Sequence, residues 1–156
     1  MLLYDNEFLP QACALIESAK HHIKIATFKA EIPLKPQGLK LKRFFDILAE
    51  KKSQGIQIDF LINKNDNKRG NPRSNIPTIQ YLKARKINVR TLRDNRCAHA
   101  KVILVDQERA IIGSHNLSIK SCFANFETSF LVSDPANIAR LAAVFNETWL
   151  SGKPYD

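Results

Sequence analysis

The stretch His99-Ala-Lys101-Val-Ile-Leu-Val-Asp106-Gln-Glu-Arg-Ala-Ile-Ile-Gly113-Ser114-His115-Asn116 decides how this chain is read. It holds two apolar runs, Val102–Val105 and Ala110–Ile112, separated by a polar turn at Asp106-Gln-Glu108. Short apolar runs bounded by turn residues predict two strands, the first from His99 to Val105. Val102 to Val105 is apolar throughout, as a strand covered on both faces should be. Residues two apart on a strand share a face, so His99 and Lys101 point the same way. Ser114 and Asn116 repeat that spacing after the second run. If the two strands are neighbours, their ends gather His, Lys, Ser and Asn around one point. Gly113 lets the backbone approach closely where the chain leaves the second strand.

Written as a pattern, the stretch is H-x-K-x4-D-x6-G-S-x-N. A chance match at a given start is on the order of 10⁻⁷ at typical residue frequencies. The residue types are chemically coherent: a nucleophile or base, a fixed cation, and small hydrogen-bonding groups that suit a phosphate.

The rest of the chain alternates helix and strand signals. Apolar spacing predicts helices over 6–20, 39–53 and from about Pro135 to Leu150, and Pro77 opens a short helix to about Lys86. Strands are expected over 23–28, 56–62, 87–92 and 126–132. The segment 63–75 is polar and turn-rich and reads as a loop. The alternation implies a single α/β domain over 1–156, a sandwich with a mixed sheet.

With 156 residues the chain can bury a real core, and its composition is that of a globular protein. Its net charge of +9 is larger than ordinary and points to a polyanionic partner, nucleic acid before an anionic lipid surface. Cys13, Cys97 and Cys122 are widely spaced and suit neither a zinc site nor a paired disulfide framework. No carboxylate cluster suits two-metal catalysis, so neither metal nor cofactor is expected. No apolar run reaches the ~20 residues that span a bilayer. As written the chain reads as soluble and cytoplasmic, with no membrane partner. A leader or neighbouring domain removed beforehand would make it periplasmic, secreted, or the catalytic part of a larger restriction or repair nuclease.

The pattern of His99, Lys101, Asp106, Gly113, Ser114 and Asn116 resembles the HKD motif of the phospholipase D superfamily, whose members cleave phosphodiester bonds. Because it occurs once, the chain is most similar to the small, single-motif Nuc-type endonuclease branch. His22-Ile-Lys24 imitates only the first three positions, with Lys29 where the Asp should stand, and His22 is read as an exposed helix-end or loop histidine. The resemblance implies a mixed β-sheet flanked by helices on both faces. It implies that His99 attacks phosphorus, that Lys101, Asn116 and Ser114 hold the phosphate oxygens, and that Asp106 and Gly113 are structural. It implies metal-independent cleavage of DNA or RNA. A second histidine is required, so the resemblance further implies a homodimer sharing the site.

Asn125-Phe-Glu127 resembles an N-x-E element of the same branch, whose carboxylate orients the nucleophilic histidine. Lys68, Arg69 and Arg73 in the loop, with Arg93 and Arg96 before the motif, are candidate phosphate contacts; a solvated loop is the competing explanation. His115, the variable motif position, is read as a rim residue and possible substrate contact. Phe123 and Phe126 suit base stacking or core packing. Phospholipid hydrolysis or phosphatidyl transfer is the alternative activity.

Overall fold

A computed structural model describes residues 1–33, 36–63, 75–93 and 96–155. They form an eight-stranded mixed sheet with five α-helices. The strands are β1 (Leu2–Tyr4), β2 (His22–Thr27), β3 (Gln57–Ile62), β4 (Asn88–Thr91), β5 (Val102–Val105), β6 (Arg109–Gly113), β7 (Thr128–Val132) and β8 (Lys153–Pro154). The helices are α1 (Phe8–Glu17), α2 (Leu39–Ser53), α3 (Asn75–Ala84), α4 (Ile119–Phe123) and α5 (Pro135–Ser151). Across the sheet the order is β1-β7-β6-β5-β2-β3-β4-β8. The β2–β3–β4 strands run parallel and the other neighbours antiparallel.

Strand periodicity sorts side chains into two cores, because alternate residues leave the sheet on opposite sides. Ile23, Ile25, Ile58, Phe60, Ile62, Ile103, Val105 and Ile111 face one side, with apolar residues of α1, α2, α3 and α4. Ala26, Leu61, Val102, Leu104 and Ala110 face the other, under Ile138, Ala142 and Phe145 of α5. Helices therefore cover both faces, as expected. The start of α5 follows local rules: the Asp134 carboxylate accepts the Asn137 N–H at 2.9 Å, and Pro135 occupies the first turn, where its missing N–H costs nothing.

The α5 face is covered only in part. Leu2 pairs with Phe130 and Phe130 with Ile112, so these side chains share one face of β1, β7 and β6. With Tyr4 they form an apolar strip, each residue between 37% and 53% exposed.

The two motif strands are neighbours, with Val102 opposite Ile112 and Val105 opposite Arg109. The first is shorter than expected. His99 to Lys101 lie before β5, although the Lys101 carbonyl still accepts the Gly113 N–H at 3.3 Å. His22 is corrected as well: it is the half-buried first residue of β2, and its Nε2 lies 2.8 Å from Oδ2 of the buried Asp59.

Candidate active site

The turn between β5 and β6 fixes the motif's geometry. Asp106 and Gln107 have φ of 52° and 58°, and the Glu108 N–H donates to the Val105 carbonyl at 3.0 Å. Two consecutive positive φ values give the tight turn that matches the strands' own twist. The Asp106 carboxylate accepts backbone N–H bonds from Lys20 (2.7 Å), His21 (2.9 Å) and His22 (2.7 Å). Burial pushes this carboxyl up, but the three donors outweigh it and hold it below its ordinary range. Asp106 thus ties the entry to β2 onto the motif hairpin and faces away from the other motif side chains.

At the opposite end of the hairpin, the Lys101 ammonium lies 3.0 Å from His99 Nδ1 and donates to the His99 carbonyl at 2.5 Å. An ammonium can only donate, so Nδ1 accepts and the ring hydrogen sits on Nε2. Burial draws the Lys101 pKa down, against a smaller opposing influence of the neighbouring Cys97 and Glu127 side chains.

Across the hairpin, Gly113 is required by space. A Cβ there would lie 2.2 Å from Ser129 Oγ and 2.4 Å from both Ser129 Cα and the Thr128 carbonyl. That approach lets Ser114 reach β7, where its hydroxyl donates to Glu127 and accepts the Thr128 N–H at 3.1 Å. Glu127 also accepts from Ser121 (2.8 Å) and Asn125 (3.0 Å). Burial raises the Glu127 carboxyl, and these hydrogen bonds more than reverse the effect, keeping it ionised below its ordinary range. Asn116 is anchored at both ends: its N–H donates to Ser121 Oγ at 2.8 Å and its Oδ1 accepts the Lys29 N–H at 3.1 Å.

The motif therefore resolves into a His99–Lys101 pair and a Ser114–Ser121–Asn125–Glu127 network on adjacent strand ends. Glu127 does not contact His99 of its own chain among the described residues.

His115 is corrected. It is 2% exposed, stacked on Phe8 at 4.3 Å between centroids, and therefore no rim residue. Its Nε2–H donates to the Asp5 carbonyl at 3.1 Å, so Nδ1 accepts from Ser129 Oγ at 2.8 Å. Burial draws its pKa down and favours the neutral ring. Flanked by Ser114 and Asn116, which face the site, it must point the other way in extended backbone.

Arg93 spends its Nε on the Gly152 carbonyl, 3.1 Å away at the end of α5, and Arg90 likewise donates to the Trp149 carbonyl at 2.7 Å. Arg96 is exposed in the segment leading to His99. Lys68, Arg69 and Arg73 lie outside the described residues. Phe126, 85% exposed, is no core residue, and Phe123 is partly exposed.

Three contributors escape a reading of the motif alone. Ser121 bridges Asn116 and Glu127; its signal was the S-x-x-S spacing from Ser118, whose Oγ accepts the Ser121 N–H at 3.4 Å as the cap of α4. Phe28 stands 5.0 Å from the His99 ring, and Asn75 holds the Phe28 carbonyl. Neither carries a sequence signal, because both reach the site through the sheet's connectivity.

The family profile described as "Cardiolipin synthase, PLD-like domain" matches residues 12–149. A phospholipase D of Rickettsia bellii is 26% identical over 130 residues, 83% of this chain and 60% of that protein. The major cardiolipin synthase of Bacillus subtilis is 34% identical over 62 residues, 40% of this chain and 13% of that protein. The chain thus spans less than two thirds of the length of either relative. Among solved structures, Nuc of Salmonella typhimurium, a phospholipase D family member, superposes with a TM-score of 0.81 at 20% identity, over 99% of this chain and 97% of that one.

Proposed function

The chain belongs to the PLD-like domains of the phospholipase D superfamily, and from that premise we propose that it is a metal-independent phosphodiesterase that cleaves nucleic acid as a homodimer. The observation that carries this reading is the placement of His99 and Lys101, 3.0 Å apart, beside the hydrogen-bonded Ser114–Glu127 network on the neighbouring strand end. It sets a nucleophile and a cation beside a strand end that carries an ionised carboxylate.

In this reading a phosphodiester draws the Lys101 ammonium from His99 onto its non-bridging oxygens. Asn116 adds a hydrogen bond to the charge that builds on them, and Ser114 adds another once its single O–H turns from Glu127 to the phosphate. With Lys101 gone, the ring loses its Nε2 hydrogen to water and takes one from water on Nδ1, where a carboxylate holds it, and the bare Nε2 attacks phosphorus. The P–N bond forms as the P–O bond to the leaving group breaks. The leaving oxygen takes a proton from His99 of the partner subunit. Water then attacks phosphorus, gives its proton back to that histidine, and the P–N bond breaks. Glu127, whose carboxylate is kept ionised, is the carboxylate in this scheme, serving His99 of the partner subunit. Lys101 supplies the positive charge that a metal supplies in other phosphodiesterases.

Two features support a dimer. The chain offers one motif histidine where the chemistry needs two. The apolar strip of Leu2, Tyr4, Ile112 and Phe130 borders the site, with Ile112 adjoining Gly113. Two copies carry +18, twice +9, which favours a polyanionic substrate.

The test incubates wild type and His99→Ala in EDTA with labelled single-stranded DNA, duplex DNA, RNA and phosphatidylcholine vesicles. Cleavage of a nucleic acid by wild type alone is the expected result. Equal cleavage by the variant, or a need for magnesium, refutes the mechanism. The cardiolipin synthase relative favours phospholipid hydrolysis or phosphatidyl transfer as the second reading, and headgroup release without nucleic-acid cleavage would establish it.

A further inference from the structure

We propose that Phe28 is a positioning residue for His99 and that the buried Asn75 is there to hold it in place. The proposal rests on the reading of His99 as the reacting group. His99 lies outside the strand ladder, in the exposed extended segment before β5. Its ring has one polar contact among the described residues, with Lys101, and that ammonium must leave to meet a phosphate. In the proposed scheme a carboxylate then holds Nδ1, but one hydrogen bond leaves the imidazole free to swing about it, so a packing contact is needed to keep it aimed. Phe28 is placed for this: its ring centroid is 5.0 Å from that of His99, with the planes tilted by 54°. The Lys101 Nζ is 5.6 Å from the same ring. One aromatic side chain thus touches both members of the pair.

The backbone that carries Phe28 is held with unusual care. It follows β2 directly, where the chain leaves the sheet at its catalytic end. Asn75, fully buried as the first residue of α3, donates from Nδ2 to the Phe28 carbonyl at 3.1 Å and accepts the Ala30 N–H on Oδ1 at 3.0 Å. One turn along α3, Thr78 Oγ1 donates to the Ala30 carbonyl at 3.0 Å and accepts the Ile32 N–H at 2.7 Å. Thr27 Oγ1 donates to the Lys29 carbonyl at 3.0 Å, and the Lys29 N–H is the donor that fixes motif residue Asn116. Buried polar side chains are costly unless fully satisfied, and fully satisfied they impose one conformation. Here they immobilise an irregular segment whose outward product is an aromatic wall beside His99 and a fixed amide on Asn116.

The wall acts in two ways. It limits rotation of the imidazole when Lys101 departs, which preserves the attack geometry. Its face also attracts cations, so it favours the charged imidazole formed with phosphorus bound. Neither effect requires contact with substrate.

The test measures kcat and KM in EDTA on bis(p-nitrophenyl) phosphate for wild type, Phe28→Ala, Phe28→Leu, Phe28→Tyr and Asn75→Ala. It also follows the His99 Cε1–H resonance through a pH titration, identified by its loss in His99→Ala. Phe28→Ala is expected to lose about 10²-fold in kcat with KM nearly unchanged, the scale of a misplaced reacting group. Phe28→Tyr should restore most of it and Phe28→Leu should not. Asn75→Ala should follow Phe28→Ala in kcat, measured below its own melting temperature. The His99 resonance should lose its ring-current shift in Phe28→Ala and Phe28→Leu and keep it in Phe28→Tyr. A kcat within two-fold of wild type in Phe28→Ala overturns the proposal. So does a raised KM at constant kcat, which would make Phe28 a substrate surface. A wild type inactive on every phosphodiester refutes the reaction itself; the resonance then still decides the packing, and an unmoved signal in Phe28→Ala overturns that too.

Discussion

Replacing Asp106 with alanine separates bracing from catalysis. The carboxylate accepts three backbone N–H bonds, from Lys20, His21 and His22, at 2.7 to 2.9 Å. Hydrogen bonds to a charged acceptor are worth roughly 1.5–3 kcal/mol when buried, but this corner is partly exposed and water replaces some of what is lost, so about 1 kcal/mol each is appropriate. Asp106 also sits at φ 52°, a conformation in which alanine costs about 1 kcal/mol more than Asp or Asn. Asp106→Ala should therefore lose about 4 kcal/mol in urea denaturation at pH 7 and melt roughly 8–16 °C lower. Asp106→Asn keeps one acceptor oxygen and tolerates the turn, so it should lose about half as much. The pH dependence has a definite sign. The folded carboxyl titrates below its ordinary value of 3.8, so its charge stabilises the fold above that value. This contribution fades as pH falls from 3.8 through the lower folded value, and the gap between wild type and Asp106→Asn should narrow there. Well below the melting temperature, kcat of Asp106→Ala should stay within a few-fold of wild type. A loss under about 1 kcal/mol, or a kcat collapse in a fully folded variant, would refute the bracing role.

Three further outcomes are expected. Gly113→Ala should lower stability by about 2–3 kcal/mol in the same urea assay, because the added methyl meets the Ser129 and Thr128 backbone at 2.4 Å. His115→Gln should flatten the acid limb of stability. The native His115 titrates below its ordinary 6.5, so wild type loses stability as pH falls through and below that value, and a side chain that cannot protonate removes this loss from melting curves. If the proposed shared site is right, Ile112→Lys combined with Phe130→Lys should sediment as a monomer where wild type sediments as a dimer, and should lose phosphodiester cleavage; full activity in a monomer would contradict a shared site.

How much was legible beforehand follows from what each residue's neighbours are. The span of α2, the central strands β2, β3 and β6, and the long α5 were readable, because they repeat an apolar pattern over enough residues to specify a period. The strands β1 and β8, of three and two residues, are too short to show a period of two, and the five residues of α4 make little more than one helical turn, so none of the three is legible without its partners. The sequence extends the first motif strand back to His99, whereas β6 ends at Gly113, whose N–H bonds the Lys101 carbonyl, and the ladder of β5 begins at Val102. His115 reads as a rim residue from its place inside the motif, although strand alternation already turns it away from Ser114 and Asn116. His22 reads as exposed because its partner, Asp59, is distant in sequence.

By itself the sequence determined the candidate site groups, the α/β class and the hairpin that joins the two halves of the motif. These are local properties: side-chain chemistry, two-residue periodicity and a turn that admits positive φ at Asp106 and Gln107. Only the tertiary structure decided who holds those groups. Asp106 was joined to residues 20–22, Glu127 to Ser114 and Ser121, and Phe28 to His99 by a strand order that interleaves distant segments. A hydrogen bond or a ring contact depends on distance in space, and distance in space is fixed by how the sheet is ordered and packed.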